Sequence, residues 1–546
     1  METDLRLESS LWVGNKRYLA VLTGWHLKWT EADKKNRDKK TVSVPVAEVV
    51  GVEEGRVEVL PHKSVEDTDR DFTVFYVKRS SSRTTSGLLW RLGRTQFTCP
   101  SRVLRDQWTK HLRTALKTHS PLRPHRLLVF INPFGGKKKG RQIYHSLVAP
   151  VFELAGISSH VIVTERANQA RDHLLKKDLT GFDGVVCVGG DGMFSEILHG
   201  VIGRTQQEAG LCENDPAVTL QSCPLHIGII PAGSTDCVCY TTVGVIDPVT
   251  SSLHIVIGDS QPLDVCSVHH GPGLVRYSAS LVGYGFYGDV LAESEKRRWM
   301  GPLRYDYSGA VVFLSNRSYR GTVQYLPADP LMSSPRDKTR YEWVSVDGRF
   351  KSVSLTCMSS SCAKSPLGLS PSAHLADGTG DLILVWDTNP LGFLTYLYRH
   401  TTTQDQFDLP FVEVHRVKAV RFTLAGGEET EGSEGLHGAM DGGDGAYVEN
   451  GSIAGSQQHL AAGANGQMMT CEDKTMSPFT CGLCCSKAPA VSVWNCDGEI
   501  LPFPEICCRI HGQLVRLYAR GIEDGTFLKD CTEERDECNR ACIPPR

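Results

Sequence analysis

The chain has 546 residues, too many for one hydrophobic core, so we expect two to four domains. Hydrophobic residues make up 40% of the chain and charged residues 22%, as in ordinary globular proteins. The formal net charge is only −3, so the composition gives no general attraction to nucleic acid.

The N-terminal residues and the cysteines predict a cytoplasmic protein. The start, Met1 to Asp4, is acidic and has no apolar segment, so we predict no signal peptide, and Glu2 excludes N-myristoylation. No apolar run approaches the roughly 18 residues of a membrane-spanning helix. The 19 cysteines are therefore predicted to be free thiols rather than a disulfide framework.

Residues 8–120 predict a β-rich domain that ends in a helix. Short strands separated by basic, polar turns are followed by Ser101, a plausible N-cap, and by an amphipathic helix over 101–119. The first 120 residues hold 22 Lys and Arg against 15 Asp and Glu, which favours a phosphoinositide or another acidic lipid surface as partner. This arrangement resembles a pleckstrin-homology (PH) domain; a small β-barrel without a lipid role is the alternative. The candidate headgroup contacts are Lys16, Arg17, Lys34 and Lys35.

A linker that contains proline, residues 119–125, leads into a region of alternating strands and helices over 124–262. This alternation predicts an α/β lobe built on a parallel sheet. The predicted strands are 126–133, 159–165, 183–192 and 226–236, and the predicted helices are 140–156 and 167–178.

Strands dominate again in the second half of the chain. Residues 263–425, with strands predicted at 275–290 among others, and residues 488–521 predict a β-sandwich-like second lobe. Between them, residues 426–487 are rich in glycine and acidic residues, which predicts a disordered insert. The charged residues 522–546 are predicted to form a loose tail.

Three strands of the α/β region run into glycine turns, at 132–136, 189–192 and 231–236. Glycine lets the backbone approach a ligand with its N–H groups exposed, and such turns meet at the carboxyl edge of a parallel sheet. We expect a phosphate chain there; tight turns without a ligand are the alternative. Neither the P-loop pattern nor the dinucleotide fingerprint is present. Asp191 would repel phosphate unless a metal lies between them or the carboxylate takes a proton from an attacking hydroxyl.

The amino-acid sequences of these segments resemble those of the diacylglycerol/sphingolipid kinase family. The similar stretches are FINPFGGKKKG, VTERANQA, VCVGGDGMFSEILHG, IGIIPAGSTDCV and WNCDGE, and VGGDGMFSEILHGVIGRTQ with GYGFYGD is most similar to the members that phosphorylate ceramide. The resemblance implies a PH-like domain before a two-lobed kinase, with ATP and Mg²⁺ on the α/β lobe and ceramide on the β-sandwich lobe. It also implies peripheral membrane association, at the Golgi or the plasma membrane.

The resemblance implies roles for individual residues as well. Asp191 would be the general base. The residues implied near the lipid headgroup are Gly189, Gly190, Asp191, Gly192 and Asp289. Those implied on ATP are Asn132, Pro133, Phe134, Gly135, Gly136, Thr164, Glu165, Arg166, Ala167, Asn168, Glu196 (on the nucleotide or its Mg²⁺), Gly233, Ser234, Arg298, Arg304, Asp497, Gly498 and Glu499. Each of three assignments has an alternative. Glu196 would be an ordinary exposed helix residue, Arg298 and Arg304 would belong to a basic surface, and residues 497–499 would form a hairpin turn.

Two further segments carry weaker signals. The family is linked to calcium and calmodulin through a segment like 411–422, but here this segment alternates like a strand, so we predict a core strand. The cluster CGLCCS (481–486), with Cys471, is compatible with zinc binding or acylation. No second C-x-x-C pair completes a metal site, which favours free thiols.

Three other interpretations compete with ceramide phosphorylation. The same chemistry on sphingosine or diacylglycerol is disfavoured only by the fine match around 188–206. A NAD-kinase-like enzyme shares the G-G-D-G turn but lacks the lipid-type N-terminal domain. A catalytically inactive lipid-binding adaptor is disfavoured by the presence of Asp191, Glu196 and Asp497.

Overall fold

The computed structural model describes residues 6–32, 40–55, 69–80, 88–301, 303–328, 342–362, 364–402, 405–424 and 491–522. Lys34, Lys35, the predicted insert with its cysteine cluster, and the predicted tail after residue 522 lie outside the described residues. In the described part, no helix has the length and apolar character needed to cross a membrane. The cysteines of this part are free thiols.

Seven antiparallel strands form the N-terminal sheet, in the order β4-β3-β2-β1-β7-β6-β5. Helix α1 (Arg102–His119) follows them and begins at the predicted cap, where Ser101 Oγ accepts a hydrogen bond from the Leu104 N–H. It buries Trp108 and Leu112 in the core of this sheet. The strands are β1 (Leu7–Val13), β2 (Lys16–Leu22), β3 (His26–Glu31), β4 (Thr41–Pro45), β5 (Val49–Glu54), β6 (Asp71–Arg79) and β7 (Trp90–Thr98), with a 3₁₀ turn at Val46–Glu48.

Four parallel strands form the α/β part, in the order β9-β8-β10-β11. Their residues are apolar on both faces because helices cover both sides, as the run Val185 to Val188 predicts. The predicted helix 140–156 is interrupted by a π turn just before Pro150, which has no N–H to continue the helical ladder. The strands are β8 (Arg126–Ile131), β9 (Ser158–Val163), β10 (Gly184–Gly189) and β11 (His226–Pro231). The helices are α2 (Gly140–Ile143), the π turn (Tyr144–Val148), α3 (Ala149–Leu154), α4 (Gln169–Lys176), α5 (Asp191–Glu208), α6 (Cys237–Val243) and α7 (Pro248–Ile257).

Strand β21 (Ile506–Tyr518) joins the α/β part to the β-rich part. It pairs antiparallel with two strands of the β-rich part and parallel with β11, so one 14-stranded sheet runs through both. The sequence predicts two lobes but not this shared strand. The other strands are β12 (Ser260–His270), β13 (Gly273–Ser278), β14 (Leu281–Gly285), β15 (Tyr319–Pro327), β16 (Val344–Thr356), β17 (Gly380–Trp386), β18 (Val412–Leu424), β19 (Trp494–Cys496) and β20 (Glu499–Leu501).

Part of the strand predicted at 275–290 is wrong. The chain leaves β14 at Gly285, whose φ of +77° suits glycine, and enters helix α8 (Phe286–Glu295). A 3₁₀ turn (Arg298–Met300), α9 (Leu303–Ser315) and α10 (Pro390–His400) are also helical within a region predicted to be β-rich. The segment 411–422 lies almost wholly within β18, which pairs with three strands, so the predicted core strand is confirmed and this segment offers no free helix for calmodulin.

Candidate functional site

The three glycine turns lie against one another at the carboxyl edge of the parallel strands. A Cβ on Gly136, which has a φ of +53°, would lie 2.6 Å from the Ala232 carbonyl oxygen. A Cβ on Gly233 would lie 2.5 Å from Gly190 Cα. Contact between the backbones therefore requires glycine at these positions, whatever ligand the turns receive.

A cavity of about 580 Å³ lies beside these turns. Helix α8 and the β19–β20 hairpin form other parts of its wall. The predicted site residues that line it are Asn132, Gly135, Gly136, Gly190, Asp191, Gly192, Glu196, Gly233, Ser234, Asp497, Gly498 and Glu499. Twelve residues from four separate stretches of sequence thus meet at one cavity.

Asp191 is the first residue of α5, and its carboxylate faces the start of α6. The N–H of Cys237 donates to one oxygen at 3.0 Å and the N–H of Val238 donates to the other at 3.1 Å. Burial raises the pKa of Asp191 above its ordinary value; the two N–H groups oppose this, and the charge of Asp497 adds to it. The result is a desolvated carboxylate of increased basicity at the cavity wall.

Asp236 is a second buried acid beside Asp191, and the sequence analysis missed it. Burial and the charge of Asp191 raise the pKa of Asp236 to about 7, against a single opposing hydrogen bond from the Gly233 N–H at 3.0 Å. Asp191 accepts two N–H groups and ionises first, because such bonds favour the charged form. The two carboxyl groups therefore titrate as a coupled pair.

Glu196 connects α5 to the predicted nucleotide stretch 164–168. Burial raises the pKa of Glu196, and the backbone N–H groups of Asn168 and Ala170 oppose that shift. Its Oε2 is buried without a hydrogen-bond partner in the described part of the chain. An unpaired carboxylate oxygen near the cavity suits a cation or a ligand donor.

The first turn uses some of its own N–H groups. Asn132 Oδ1 accepts from the N–H groups of Phe134, at 2.9 Å, and Gly135, at 3.1 Å. These two donors shape the turn, whereas the resemblance implies them on phosphate. Pro133 and Phe134 do not line the cavity, and Phe134 is exposed.

Asp497 organises the turn between β13 and β14. Its carboxylate accepts hydrogen bonds from the Ser278 hydroxyl and from the backbone N–H groups of Ala279, Ser280 and Leu281, at 2.8 to 3.1 Å. Two of these residues, Ser280 and Leu281, line the cavity. Because the carboxylate accepts all four hydrogen bonds from the protein itself, Asp497 fixes the shape of the cavity wall.

Arg276 connects Glu499 to α5 and was also missed in the sequence. Its guanidinium lies 3.1 Å from Glu499 and donates to Ser195 Oγ at 2.9 Å. The glycine-rich turn around Asp236 suggests an ordinary turn residue. Arg276 lies in a strand, and its partners are distant in sequence. No local pattern marks either residue.

Other predicted residues lie outside the cavity lining. Thr164 is buried and donates to the Ile131 carbonyl, and Arg166 pairs with Asp172. Arg298 and Arg304 both pair with Glu295. The remaining predicted residues that do not line the cavity are Glu165, Ala167, Asn168 and Gly189.

Asp289 is likewise outside the lining. It accepts hydrogen bonds from the hydroxyls of Ser492, at 2.6 Å, and Tyr319. These bonds attach the first turn of α8 to the β-rich part, so the carboxylate is already used by the protein.

The residues fit a nucleotide-bound Mg²⁺ better than a resident metal. In the described residues, no three His, Cys, Asp or Glu side chains cluster as a metal site. Mg²⁺ that arrives with phosphates takes most of its ligands from phosphate and water and needs one or two carboxylates. In the described residues, Glu196 offers one carboxylate oxygen, Oε2, that has no hydrogen-bond partner.

Three family models match the chain. They are described as the Ceramide kinase PH domain over residues 7–112, the Diacylglycerol kinase catalytic domain over 126–268, and the Ceramide kinase C-terminal domain over 278–538. Human ceramide kinase is 43% identical over 95% of this chain and 97% of its own length, and mouse ceramide kinase is 42% identical over 95% and 98%. A crystal structure of a diacylglycerol kinase from Bacillus anthracis str. Sterne is similar at 11% identity, over 72% of this chain and 97% of its own, with a TM-score of 0.42.

Proposed function

This chain belongs to the ceramide kinase family, and we propose a mechanism for it that is based on the buried carboxylate of Asp191. The chain is an ATP-dependent lipid kinase that transfers the γ-phosphoryl group of ATP to the primary hydroxyl of ceramide, giving ceramide 1-phosphate. Its N-terminal PH domain fits peripheral association with membranes.

Asp191 acts as the general base. Burial raises its pKa, so the ionised carboxylate is a stronger proton acceptor than an exposed aspartate. It takes the proton of the ceramide hydroxyl as the oxygen attacks the γ-phosphorus, while the bond from the γ-phosphorus to the bridging oxygen breaks and ADP leaves. The N–H groups of Cys237 and Val238 hold the carboxylate in place, so it does not need to reorient.

The nucleotide lies along the glycine turns. Gly136, Gly190 and Gly233 let the turns lie close together beside the phosphates, and Gly135 and Ser234 continue that surface. The stretch 164–168 does not line the cavity and takes the nucleotide side through Asn168, whose N–H contacts Glu196. Glu196, whose Oε2 has no hydrogen-bond partner in the described residues, would hold the Mg²⁺ that the phosphates carry. Bound Mg²⁺ would supply charge neutralisation for the transferred phosphoryl group.

The β19–β20 hairpin returns to the nucleotide from the other side. Gly498 and Glu499 line the cavity, and the Arg276 guanidinium sets the position of Glu499. Asp497 supports this wall from behind. The lipid chains lie toward α8, where Tyr287 and Leu291 line the cavity and Asp289 anchors the helix.

Arg298 and Arg304 complete the phosphate site when ATP binds. Both pair with Glu295, and a γ-phosphate carries more charge than one carboxylate. They would therefore exchange Glu295 for the phosphate when ATP binds. The PH domain binds a phosphoinositide or another acidic lipid, which directs the enzyme to the Golgi or the plasma membrane.

The test is a radiolabelled-ATP assay of the purified chain on mixed micelles of ceramide, sphingosine or diacylglycerol. We expect label on ceramide, and a loss of about 10²-fold or more in kcat for Asp191→Asn, because the amide cannot accept the proton. The matched control is Asp408→Asn, at an exposed position, with turnover unchanged.

Each other outcome has a defined meaning. Label on sphingosine or diacylglycerol instead keeps the mechanism and changes the substrate. Wild-type turnover in Asp191→Asn contradicts the assigned base. Micelle and ATP binding without label on any lipid supports the inactive adaptor.

A further inference from the structure

Helix α10 is apolar on two opposite faces. Phe393 and Tyr396 are buried in a cluster with strand residues of the β-rich part. On the other side, Leu391, Leu394 and Tyr398 follow a spacing of three and four residues, and 76%, 49% and 60% of their surfaces are exposed. An ordinary surface helix has polar residues at such positions.

Helix α9 lies beside α10 and is similarly exposed. The ring of Phe313 on α9 stacks on Phe393 of α10, with ring centres 6.2 Å apart. In the 13 residues of α9, only Ser308 is fully buried. Leu314, next to Phe313, is 79% exposed, and Leu303 at the other end of the helix is 67% exposed. Trp299, in the 3₁₀ turn before the helix, is 84% exposed.

We call the exposed apolar side chains of these two helices and of the 3₁₀ turn before α9 the α9–α10 surface: Trp299, Leu303, Leu314, Leu391, Leu394 and Tyr398. Exposed apolar patches of this kind mark sites that another apolar phase covers. The mixture of leucine with Trp and Tyr matches the side chains that proteins place at a membrane–water interface.

The α9–α10 surface is connected to the cavity through its own helices. Tyr305 of α9 lines the cavity, together with Tyr287, Val290 and Leu291 of α8, on which α9 packs. Ceramide carries two long hydrocarbon chains and resides in the bilayer. A surface on the same helices therefore brings the cavity to the phase that holds the substrate.

Two lysines near α9 are paired with acids of the protein. Lys296 bonds to Glu293 and Lys364 bonds to Asp306, and on α10 Arg399 donates to the Asp405 carbonyl. Ion pairs leave little net charge to attract an anionic headgroup, so apolar insertion would supply the attraction and salt would screen it little.

We propose that the α9–α10 surface inserts into the lipid bilayer and is a second membrane contact, separate from the PH domain. This proposal rests on the proposed function, because it takes the bilayer as the location of the lipid substrate. Insertion places α8 and α9 at the headgroup level, so that ceramide reaches Asp191 without crossing water.

The test compares the full-length wild type with Leu391→Glu/Leu394→Glu. Binding to phosphatidylcholine vesicles that contain long-chain ceramide but no phosphoinositide is measured by flotation, at low and at high salt. We expect wild-type binding that changes little with salt, and at least about tenfold weaker binding per leucine replaced. Leu147→Glu, on the π turn of the α/β part, replaces an equally apolar exposed side chain and should bind as the wild type does.

A short-chain ceramide dissolved as monomers separates this surface from the catalytic site. The double variant should phosphorylate it at the wild-type rate while losing activity on ceramide in vesicles. If the double variant loses both activities, Leu314→Glu on α9 gives a second test with the same expected pattern. Undiminished vesicle binding and vesicle activity in both variants would overturn the proposal.

Other outcomes point to other occupants. A wild type that is dimeric and a double variant that is monomeric, with equal vesicle binding, would assign the surface to a second copy of the chain. Weaker vesicle binding in the variant, with no ceramide phosphorylation by the wild type on either substrate, would keep the membrane contact and refute the proposed function.

Discussion

At the scale of single residues, the ionisation of Asp236 depends on Asp191. Asp236 is only 5% exposed, and burial together with the charge of Asp191 raises its pKa to about 7. In the unfolded chain the carboxyl group titrates near its ordinary value of 3.8. The folded state therefore holds a proton that the unfolded state has lost across the interval between these two pKa values.

Replacing Asp236 should flatten the pH dependence of stability. Because the folded pKa is raised, the stabilising contribution of the protonated group is complete below pH 4 and is lost as the pH rises through about 7. Asp236→Asn keeps an oxygen for the Gly233 N–H and removes this titration. Between pH 5 and pH 8, the free energy of unfolding of Asp236→Asn should rise by about 2 kcal/mol relative to that of the wild type.

Denaturant unfolding at several pH values measures this difference. Asp106→Asn, at a half-exposed helix position, is the control and should show no such change. A constant difference between Asp236→Asn and the wild type from pH 5 to pH 8 would show that Asp236 titrates normally.

At the scale of elements, the glycine turns divide into positions that touch another turn and positions that face the cavity. Alanine at Gly233 would place a Cβ 2.5 Å from Gly190 Cα and 2.6 Å from Asp236 Oδ1. Gly192 lines the cavity, and its Cβ would have no protein atom within 4 Å.

Two alanine variants should therefore fail in different ways. Gly233→Ala should lower the free energy of unfolding by about 2 kcal/mol or more, because two backbones must separate. Gly192→Ala should keep the wild-type stability and lower kcat/KM, because its methyl group enters the cavity. Thermal unfolding and steady-state kinetics on the same preparations check both; equal stability loss in the two variants would contradict the assignment.

These elements also show where prediction from sequence succeeds. The turns follow short, wholly apolar strands, and parallel strands bring their carboxyl ends together, so a shared cavity could be predicted. Helix α8 could not, because its aromatic residues follow β14 without a break and only the conformation of Gly285 turns the chain. Arg276 and Asp236 act through partners that tertiary packing supplies, and Arg298 and Arg304 pair with a glutamate that local spacing did not single out.

At the scale of the whole molecule, the PH domain and the kinase share a buried interface. Val50, Phe75 and Trp90 of the PH domain lie in one core cluster with residues of β8 and α7. Trp90 stacks on His254 of α7, with ring centres 3.9 Å apart. The linker is fixed as well, since Arg123 donates to the carbonyl oxygens of Val49 and Val50. The two parts therefore form a continuous structure.

Glu48 is the charged centre of this interface. Its carboxylate accepts two hydrogen bonds from Arg79, at 2.8 Å, and one from Arg520, at 2.7 Å, beyond the last strand of the kinase. Burial acts to raise the pKa of Glu48, but the two guanidinium groups outweigh it and the pKa is lowered. The stabilising contribution is therefore present above its ordinary pKa of 4.5 and is lost as the pH falls through the lowered value.

Removing the charge of Glu48 should make the PH domain unfold separately from the kinase. Glu48→Gln removes the carboxylate that Arg79 and Arg520 share, while Arg520 keeps its ion pair with Asp259, so we expect a cost of about 2 kcal/mol. Calorimetry of the wild type should show one unfolding transition for the described domains, and the variant should show an earlier, separate transition of the PH domain. Glu8→Gln removes an exposed glutamate of the same domain, whose pair with Arg6 contributes about 1 kcal/mol or less, and should unfold like the wild type. A single, unshifted transition in Glu48→Gln would mean that the apolar contacts around Trp90 hold the domains together without the ion pairs.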